Sequence, residues 1–315
     1  MPKVELLDED VSLIDVYDLG LPNRTGAYVI QDDELTVIET SASPSIPHLL
    51  DGLKAIGENP ERVRHIIVTH VHLDHAGGVG VLLQSCPNAT VHVHPRGKRH
   101  LADPTKLVQG ARAVYGEQFD DLFDPVVPVP EDRLVEQPDG SDLHIGSRTL
   151  TFYDTPGHAK HHVSIHDSKA NAIYTGDTIG VYYPHTLPYG EMLVLPSTSP
   201  NQFDPNAMLE SLKRIESLGV DAIHFGHFGR STEPAVVYDQ MCDWLPLFLE
   251  LSEDAVKRGS NAPVESVRQA LFDRVASYLD DIGVPREHDI YPLLEMDMRV
   301  CAMGLVDYLK KTEDQ

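Results

Sequence analysis

The chain is poor in cysteine, tryptophan, lysine and long apolar runs. Its 315 residues include three cysteines and one tryptophan. Cys86, Cys242 and Cys301 are odd in number and far apart. They build no disulfide framework and no CxxC metal clip, a usage that fits a reducing cytosol. No stretch approaches the roughly 18 consecutive apolar residues of a membrane-spanning helix. The opening MPKVELLDEDV has no basic segment followed by an apolar one, so no secretory leader is expected and a cytoplasmic location is. Basic residues are also scarce: 25 Lys and Arg stand against 49 Asp and Glu, a net charge of −24. Nucleic-acid backbones and anionic membranes require a cationic face, so neither is an expected partner, and a small-molecule substrate is. Only 10 of the 25 basic residues are Lys. Acid excess with little Lys suits a halophilic protein that stays hydrated in high salt, and equally an ordinary acidic cytosolic one.

With 41% hydrophobic residues the chain can bury a large core, and its length suits one large domain or a domain with an appendage. No internal repeat or low-complexity tract interrupts it. Apolar alternation and turn residues predict strands over 11–17, 26–30, 35–39, 63–68 and 89–94, with a helix over 45–56 and another opening over 76–84. Residues 95–130 are rich in Pro and Asp and read as a lid-like insertion carrying short helices. Hairpin-like strands are expected over 134–154 and 162–176, then a helix from 205 to 218 and a strand over 221–225. Beyond residue 232 only helical patterns remain, at about 233–258, 263–280 and 291–312. The expectation is an α/β catalytic domain over 1–231 and a helical C-terminal appendage over 232–315. Trp244, Leu245, Leu247, Phe248 and Leu251 give the first tail helix an apolar stretch that could pack on the core, shape a pocket mouth or join two copies in a homodimer.

The densest chemical signal is His70-Val-His72-Leu-Asp74-His75, preceded by Thr69 and followed by Ala-Gly-Gly. Three imidazoles and a carboxylate beside a buried strand are costly unless something compensates them. A transition metal does so, since neutral imidazole nitrogen and carboxylate oxygen suit zinc or iron. His158 in Thr-Pro-Gly-His, Asp177 in Thr-Gly-Asp and His227 in Gly-His-Phe-Gly each follow another strand-like run. His224 is a rival to His227. His92 and His94 read as structural, and His161 and His162 as solvent-exposed rather than lining the site rim. Tyr182, Tyr183 and His185 follow Asp177 closely and are candidates to hydrogen-bond a substrate oxygen.

These motifs resemble those of the metallo-β-lactamase superfamily, specifically its dinuclear hydrolases. THVHLDHAGG matches the THxHxDHxGG motif, and TPGH, TGD and GH follow in the family's order over about residues 11–230. The resemblance implies an αβ/βα four-layer sandwich with metals at one edge. By position, His70, His72 and His158 would hold one ion, Asp74, His75 and His227 the other, and Asp177 would bridge both. The ligand His of the family commonly sits between glycines, which favours His227 over His224. Where the family often has an Asp in its first short motif, this chain has Glu39, whose longer carboxylate could orient a ligand His.

Two divalent ions, zinc first with iron or manganese as alternatives, would share a hydroxide that attacks an ester, lactone or thioester, with Asp74 accepting or relaying a proton. Glyoxalase II reads anionic glutathione partly through a basic C-terminal region, whereas residues 231–315 here carry 8 basic and 17 acidic side chains. Acyl-homoserine lactonases place a tyrosine directly after the bridging Asp, where this chain has Thr178-Ile-Gly. Zinc β-lactamases of the commonest type use a Cys ligand, ribonuclease Z-type nucleases need RNA, and flavodiiron proteins usually replace the second His with Glu. The layout, with its insertion and helical tail, is similar to the quinolone-signal response thioesterase branch. The alternatives are a mononuclear iron enzyme resembling persulfide dioxygenases and a non-catalytic metal-binding sensor on the same fold.

Overall fold

The computed structural model describes residues 3–8, 10–259 and 261–313. The chain forms two compact units. The first comprises residues up to Thr155 together with His161–Gly176 and Gly219–Glu233. The second comprises Pro156–Lys160, Asp177–Leu218 and the residues from Pro234 on.

Two mixed sheets make up the first unit. Strands β1 (Val4–Asp8), β2 (Val11–Asp15), β3 (Gly26–Ile30), β4 (Thr36–Ile38), β5 (His65–Ile67), β6 (Thr90–Val93) and β7 (Leu134–Glu136) lie side by side in chain order. Pairing is antiparallel as far as β4 and parallel from β4 to β7. The later strands are β8 (Asp142–Ile145), β9 (Arg148–Asp154), β10 (Val163–Asp167), β11 (Ala172–Gly176), a short ribbon of β12 (Val181–Tyr182) with β13 (Val194–Leu195), β14 (Ala222–Phe225) and β15 (Gly229–Ser231). The second sheet runs β15-β14-β11-β10-β9-β8, with β11 and β14 parallel.

Because side chains alternate along a strand, the central strands of the first sheet feed two cores at once. Leu13, Tyr28, Ile30, Ile38 and Ile67 join Leu150, Phe152, Val163, Ile165 and Tyr174 between the sheets. Their neighbours Ile14, Val29, Val37 and Ile66 face the other way and pack with helix residues. Those residues include Leu49 and Leu53 of α1 (Ile46–Ala55) and Val79 and Leu82 of α3 (Val79–Ser85), which follows the single turn α2 (Leu73–Ala76). The molecule is therefore the αβ sandwich expected. Residues 95–130 hold three helices, α4 (Pro95–Ala102), α5 (Thr105–Tyr115) and α6 (Phe119–Phe123).

One expectation needs correcting. Residues 134–154 are not a single run of hairpin strands, because β7 closes the first sheet in parallel with β6. The turn at Pro138–Gly140 then passes the chain to the second sheet, where β8 and β9 form the hairpin around Gly146. The edge strands β1 and β15 carry too weak an alternation to be read in advance.

The second unit contains α7 (Pro205–Glu216), α8 (Pro234–Lys257), α9 (Pro263–Asp281) and α10 (Ile290–Glu313). Asp204 caps α7 by accepting the amides of Asn206 and Ala207. Trp244, Leu245 and Phe248 of α8 are buried, with the Trp244 ring edge-on to Tyr278 of α9, so this part of the apolar stretch packs within the unit. No helix among the described residues is long and apolar enough to cross a membrane.

Candidate metal centre

The first unit delivers five of the seven candidate ligands. Beyond β5, the amide of Thr69 donates to Glu39 Oε1 at 2.7 Å and its carbonyl accepts from Val163 at 2.8 Å, so the strand end is pinned to both sheets. His70 and His72 follow, with His70 Nε2 and His72 Nδ1 3.0 Å apart and their rings nearly perpendicular. His72 precedes α2, and that single turn carries Asp74 and His75. The carbonyl of His75 accepts from the amide and hydroxyl of Thr40, which laces the turn to the loop after β4. In that loop Glu39 (φ 69°) and Ser41 (φ 58°) both hold left-handed backbone. Such strain costs on the order of 1–3 kcal/mol per residue and persists where surrounding contacts over-determine it.

His227 arrives from beyond β14. Asp74, His75 and His227 each offer a ligand atom within 4.8 Å of the other two. His227 Nε2 lies 3.6 Å from Asp74 Oδ2, and His75 Nε2 lies 3.8 Å from it. The hydrogen bonds fix which nitrogens carry protons. Nδ1 of His75 is 2.6 Å from Glu39 Oε2, and Nδ1 of His227 is 3.3 Å from the Arg24 carbonyl. Both partners accept, so both Nδ1 atoms donate, and both Nε2 atoms are turned toward the Asp74 carboxylate. The donor set therefore fits a divalent ion that takes nitrogen and oxygen.

His224 is built into β14 and has a different role. Its ring is buried, stacked on Tyr28 at 5.1 Å and edge-on to Tyr174 at 4.7 Å. Neither ring nitrogen makes a hydrogen bond among the described residues. Burial pushes its pKa down to about 3. It is a neutral core residue, whereas His227 stands in the ligand cluster.

The second unit contributes His158 and Asp177. Gly157 makes the approach possible: its φ is 134°, and a Cβ there would lie 2.4 Å from the Met208 backbone of α7. His158 Nδ1 donates to the Ser197 carbonyl at 3.0 Å, and the Ser197 hydroxyl donates to Asp177 Oδ2 at 3.0 Å. His158 Nε2 and Asp177 Oδ2 are 3.6 Å apart, and both side chains are buried.

Of the other candidates, Tyr182 is buried in β12, and Tyr183 is buried with its hydroxyl donating to Asp297 Oδ2 at 2.7 Å. His185 lies in the short helical turn Pro184–Tyr189, edge-on to His288. His161 and His162 are not solvent-exposed as expected. Both are buried, with rings stacked parallel to His70 at 6.3 and 5.1 Å, because the loop before β10 folds back over the end of β5. His92 joins no metal-like group among the described residues. It bonds His65 at 2.9 Å and Gln137 at 2.8 Å, and burial lowers its pKa to about 3.

Sequence reasoning missed a buried group behind His227. Asp18 sits between Tyr17 and Leu19, both left-handed, and accepts from Thr25 and Ser41 at 3.2 Å. Burial raises its pKa, against the opposing charge of Arg24 at 3.2 Å. The Thr25 hydroxyl is 3.3 Å from His227 Nδ1. No local sequence signal marks a carboxylate whose partners are gathered by tertiary structure. The same is true of Ser197, which acts partly through its carbonyl.

The family profile described as the metallo-beta-lactamase superfamily matches residues 22–227. The metallo-beta-lactamase fold-containing protein ST1585 of Sulfurisphaera tokodaii is 28% identical over 212 residues, covering 66% of this chain and 74% of that one. Its crystal structure superimposes with a TM-score of 0.68 at 22% identity, covering 95% of this chain and 99% of its own, a likeness of fold. A putative diflavin flavoprotein A 2 of Nostoc is 28% identical over 235 residues, which are 71% of this chain but 36% of the flavoprotein. The chain thus spans about a third of that relative. The N-acyl homoserine lactonase AttM of Rhizobium radiobacter is 29% identical over 178 residues, covering 56% of this chain and 63% of the lactonase.

Proposed function

The chain belongs to the metallo-beta-lactamase superfamily, and on that premise we propose that it is a metal-dependent hydrolase of an ester, lactone or thioester. His70, His72 and His158 hold one ion in this reading, Asp74, His75 and His227 a second, and Asp177 is shared. Zinc is the expected metal, with iron or manganese as alternatives. When bound, a divalent pair supplies a hydroxide nucleophile near neutral pH and polarises the scissile carbonyl.

The observation that carries the reading is the pattern of Nδ1 donors. His75 gives its Nδ1 proton to Glu39, His227 to the Arg24 carbonyl and His158 to the Ser197 carbonyl. Each imidazole is thereby oriented with Nε2 free to serve as its ligand atom, the arrangement that orients and strengthens metal-bound histidines. His72 adds an imidazole beside His70. Asp74 is 23% exposed while His75 is closed to solvent, so its carboxylate is the group that can take a proton and release it to water. Tyr182 and His185 are the proposed neighbours of a substrate oxygen. Tyr183 commits its hydroxyl to Asp297 and steadies the ribbon.

Elemental analysis of the purified protein, combined with a screen of lactones, thioesters and aryl esters and with oxygen-uptake measurements, tests the proposal. Two zinc ions with ester-type turnover support it. One iron with oxygen uptake replaces it with the redox reading, and metal without any turnover replaces it with a sensor.

A further inference from the structure

The segment Pro196–Ser199 of the second unit meets both candidate ligands of that unit at a single residue. The Ser197 carbonyl accepts from His158 Nδ1 at 3.0 Å. A carbonyl cannot donate, so the proton sits on Nδ1 and Nε2 is left as the coordinating atom. The Ser197 hydroxyl donates to Asp177 Oδ2 at 3.0 Å, which fixes the carboxylate plane. One residue therefore sets the tautomer of the imidazole with its main chain and the orientation of the carboxylate with its side chain.

The same segment is clamped by α10. The Thr198 hydroxyl donates to the Cys301 carbonyl at 3.0 Å, and the Cys301 thiol donates to the Pro196 carbonyl at 3.4 Å. One turn further on, Gly304 lies against the Thr198 carbonyl so closely that a Cβ would stand 1.8 Å from its oxygen. Cys301 and Gly304 are three residues apart and share a helix face. The residues on either side of Ser197 are thus held to a helix that supplies no candidate ligand.

We propose that Ser197 is a positioning residue of the metal centre and that α10 holds it in register through Thr198, Cys301 and Gly304. The inference rests on the metal-centre reading above and deepens it. It gives the last helix a part in metal binding without direct contact with the ions.

The test uses the full chain, stripped of metal and titrated with zinc against a chromophoric chelator, with cobalt(II) absorption as a second readout. Wild type is expected to take two ions. Ser197→Ala is expected to bind zinc about 10-fold or more weakly. The cobalt bands should shift, while the melting temperature of the metal-free protein stays at the wild-type value. Ser197→Thr, which keeps the hydroxyl, should restore affinity and spectrum. Gly304→Ala should weaken zinc binding from the helix side, and the Ser197 pair decides the matter if that variant does not fold. Wild-type affinity and spectrum in Ser197→Ala would overturn the inference. So would a loss that Thr does not rescue, or one matched by an equal fall in metal-free stability, since either assigns Ser197 to packing. A wild type that takes no divalent ion would instead overturn the metal-centre reading itself.

Discussion

Oε2 of Glu39 lies 2.6 Å from Nδ1 of His75, with both side chains sealed from solvent. The other oxygen of the same carboxylate takes the Thr69 amide at 2.7 Å. Glu39 thus ties the first histidine-rich turn to the strand end that presents it.

Replacing Glu39 by Gln leaves one acceptor oxygen for two donors, so either Thr69 or His75 loses its partner. Glu39→Gln is expected to bind zinc 10- to 100-fold more weakly, by about the amount seen when a ligand histidine loses its orienting group. Metal-free stability should fall by about 1–3 kcal/mol, the cost of a buried unsatisfied donor. Chelator competition and urea unfolding measure the two effects, and unchanged zinc affinity would remove Glu39 from the centre.

His224 predicts a pH dependence. An unfolded imidazole titrates near 6.5, whereas the buried ring titrates at about 3. The unfolded state therefore binds the proton first. The stability that neutral burial confers is complete above about pH 6.5 and is lost as pH falls toward the folded value. His224→Phe keeps a ring between Tyr28 and Tyr174 and cannot titrate. Measured on metal-free protein, the stability of this variant relative to wild type should improve by about 2 kcal/mol between pH 6.5 and 4.5. Parallel stability curves for the two proteins would contradict the assignment of His224 as a neutral core residue.

Arg148 is buried and meets three carboxylates, those of Asp10, Asp32 and Asp167. Removing the cation leaves the fully buried Asp167 and the mostly buried Asp32 without their cation, while Asp10 keeps Lys169. Arg148→Met should destabilise the fold by about 3–5 kcal/mol at neutral pH. Denaturant unfolding measures the loss, and a change under 1 kcal/mol would show that the cluster contributes little.

The three thiols should separate by reactivity. Cys86 and Cys301 are buried and Cys242 is exposed. Burial pushes Cys86 up to about 12 and Cys301 up to about 11, which suppresses their thiolates. A thiol-specific chromogenic reagent should find one accessible equivalent in the folded protein and three after denaturation. Cys242→Ser should abolish the first.

Much of the architecture could be read in advance because burial and periodicity coincide. Residues 26–30 alternate between two apolar surroundings and form β3 as expected, and the tail resolves into three helices close to the predicted bounds. The chemistry of His70, His72, Asp74 and His75 was visible because four ligand-type residues stand within six positions. Other features depend on tertiary structure. His161 and His162 look like surface residues until a loop lays them over His70. The link from Asp18 through Thr25 to His227 joins three segments with no common motif. Ser197 is invisible for a further reason, since half of its contribution comes from a peptide carbonyl that every residue possesses.

Arg148 and its three aspartates gather where β9 starts and β10 ends, beside the turns after β1 and β3. The loops that carry the candidate ligands leave the opposite tips of β5, β9, β11 and β14. Anchorage and reactivity thus occupy separate poles of the same strands. A substitution among the candidate ligands is thereby set apart from the ion cluster that ties the ends of these strands together.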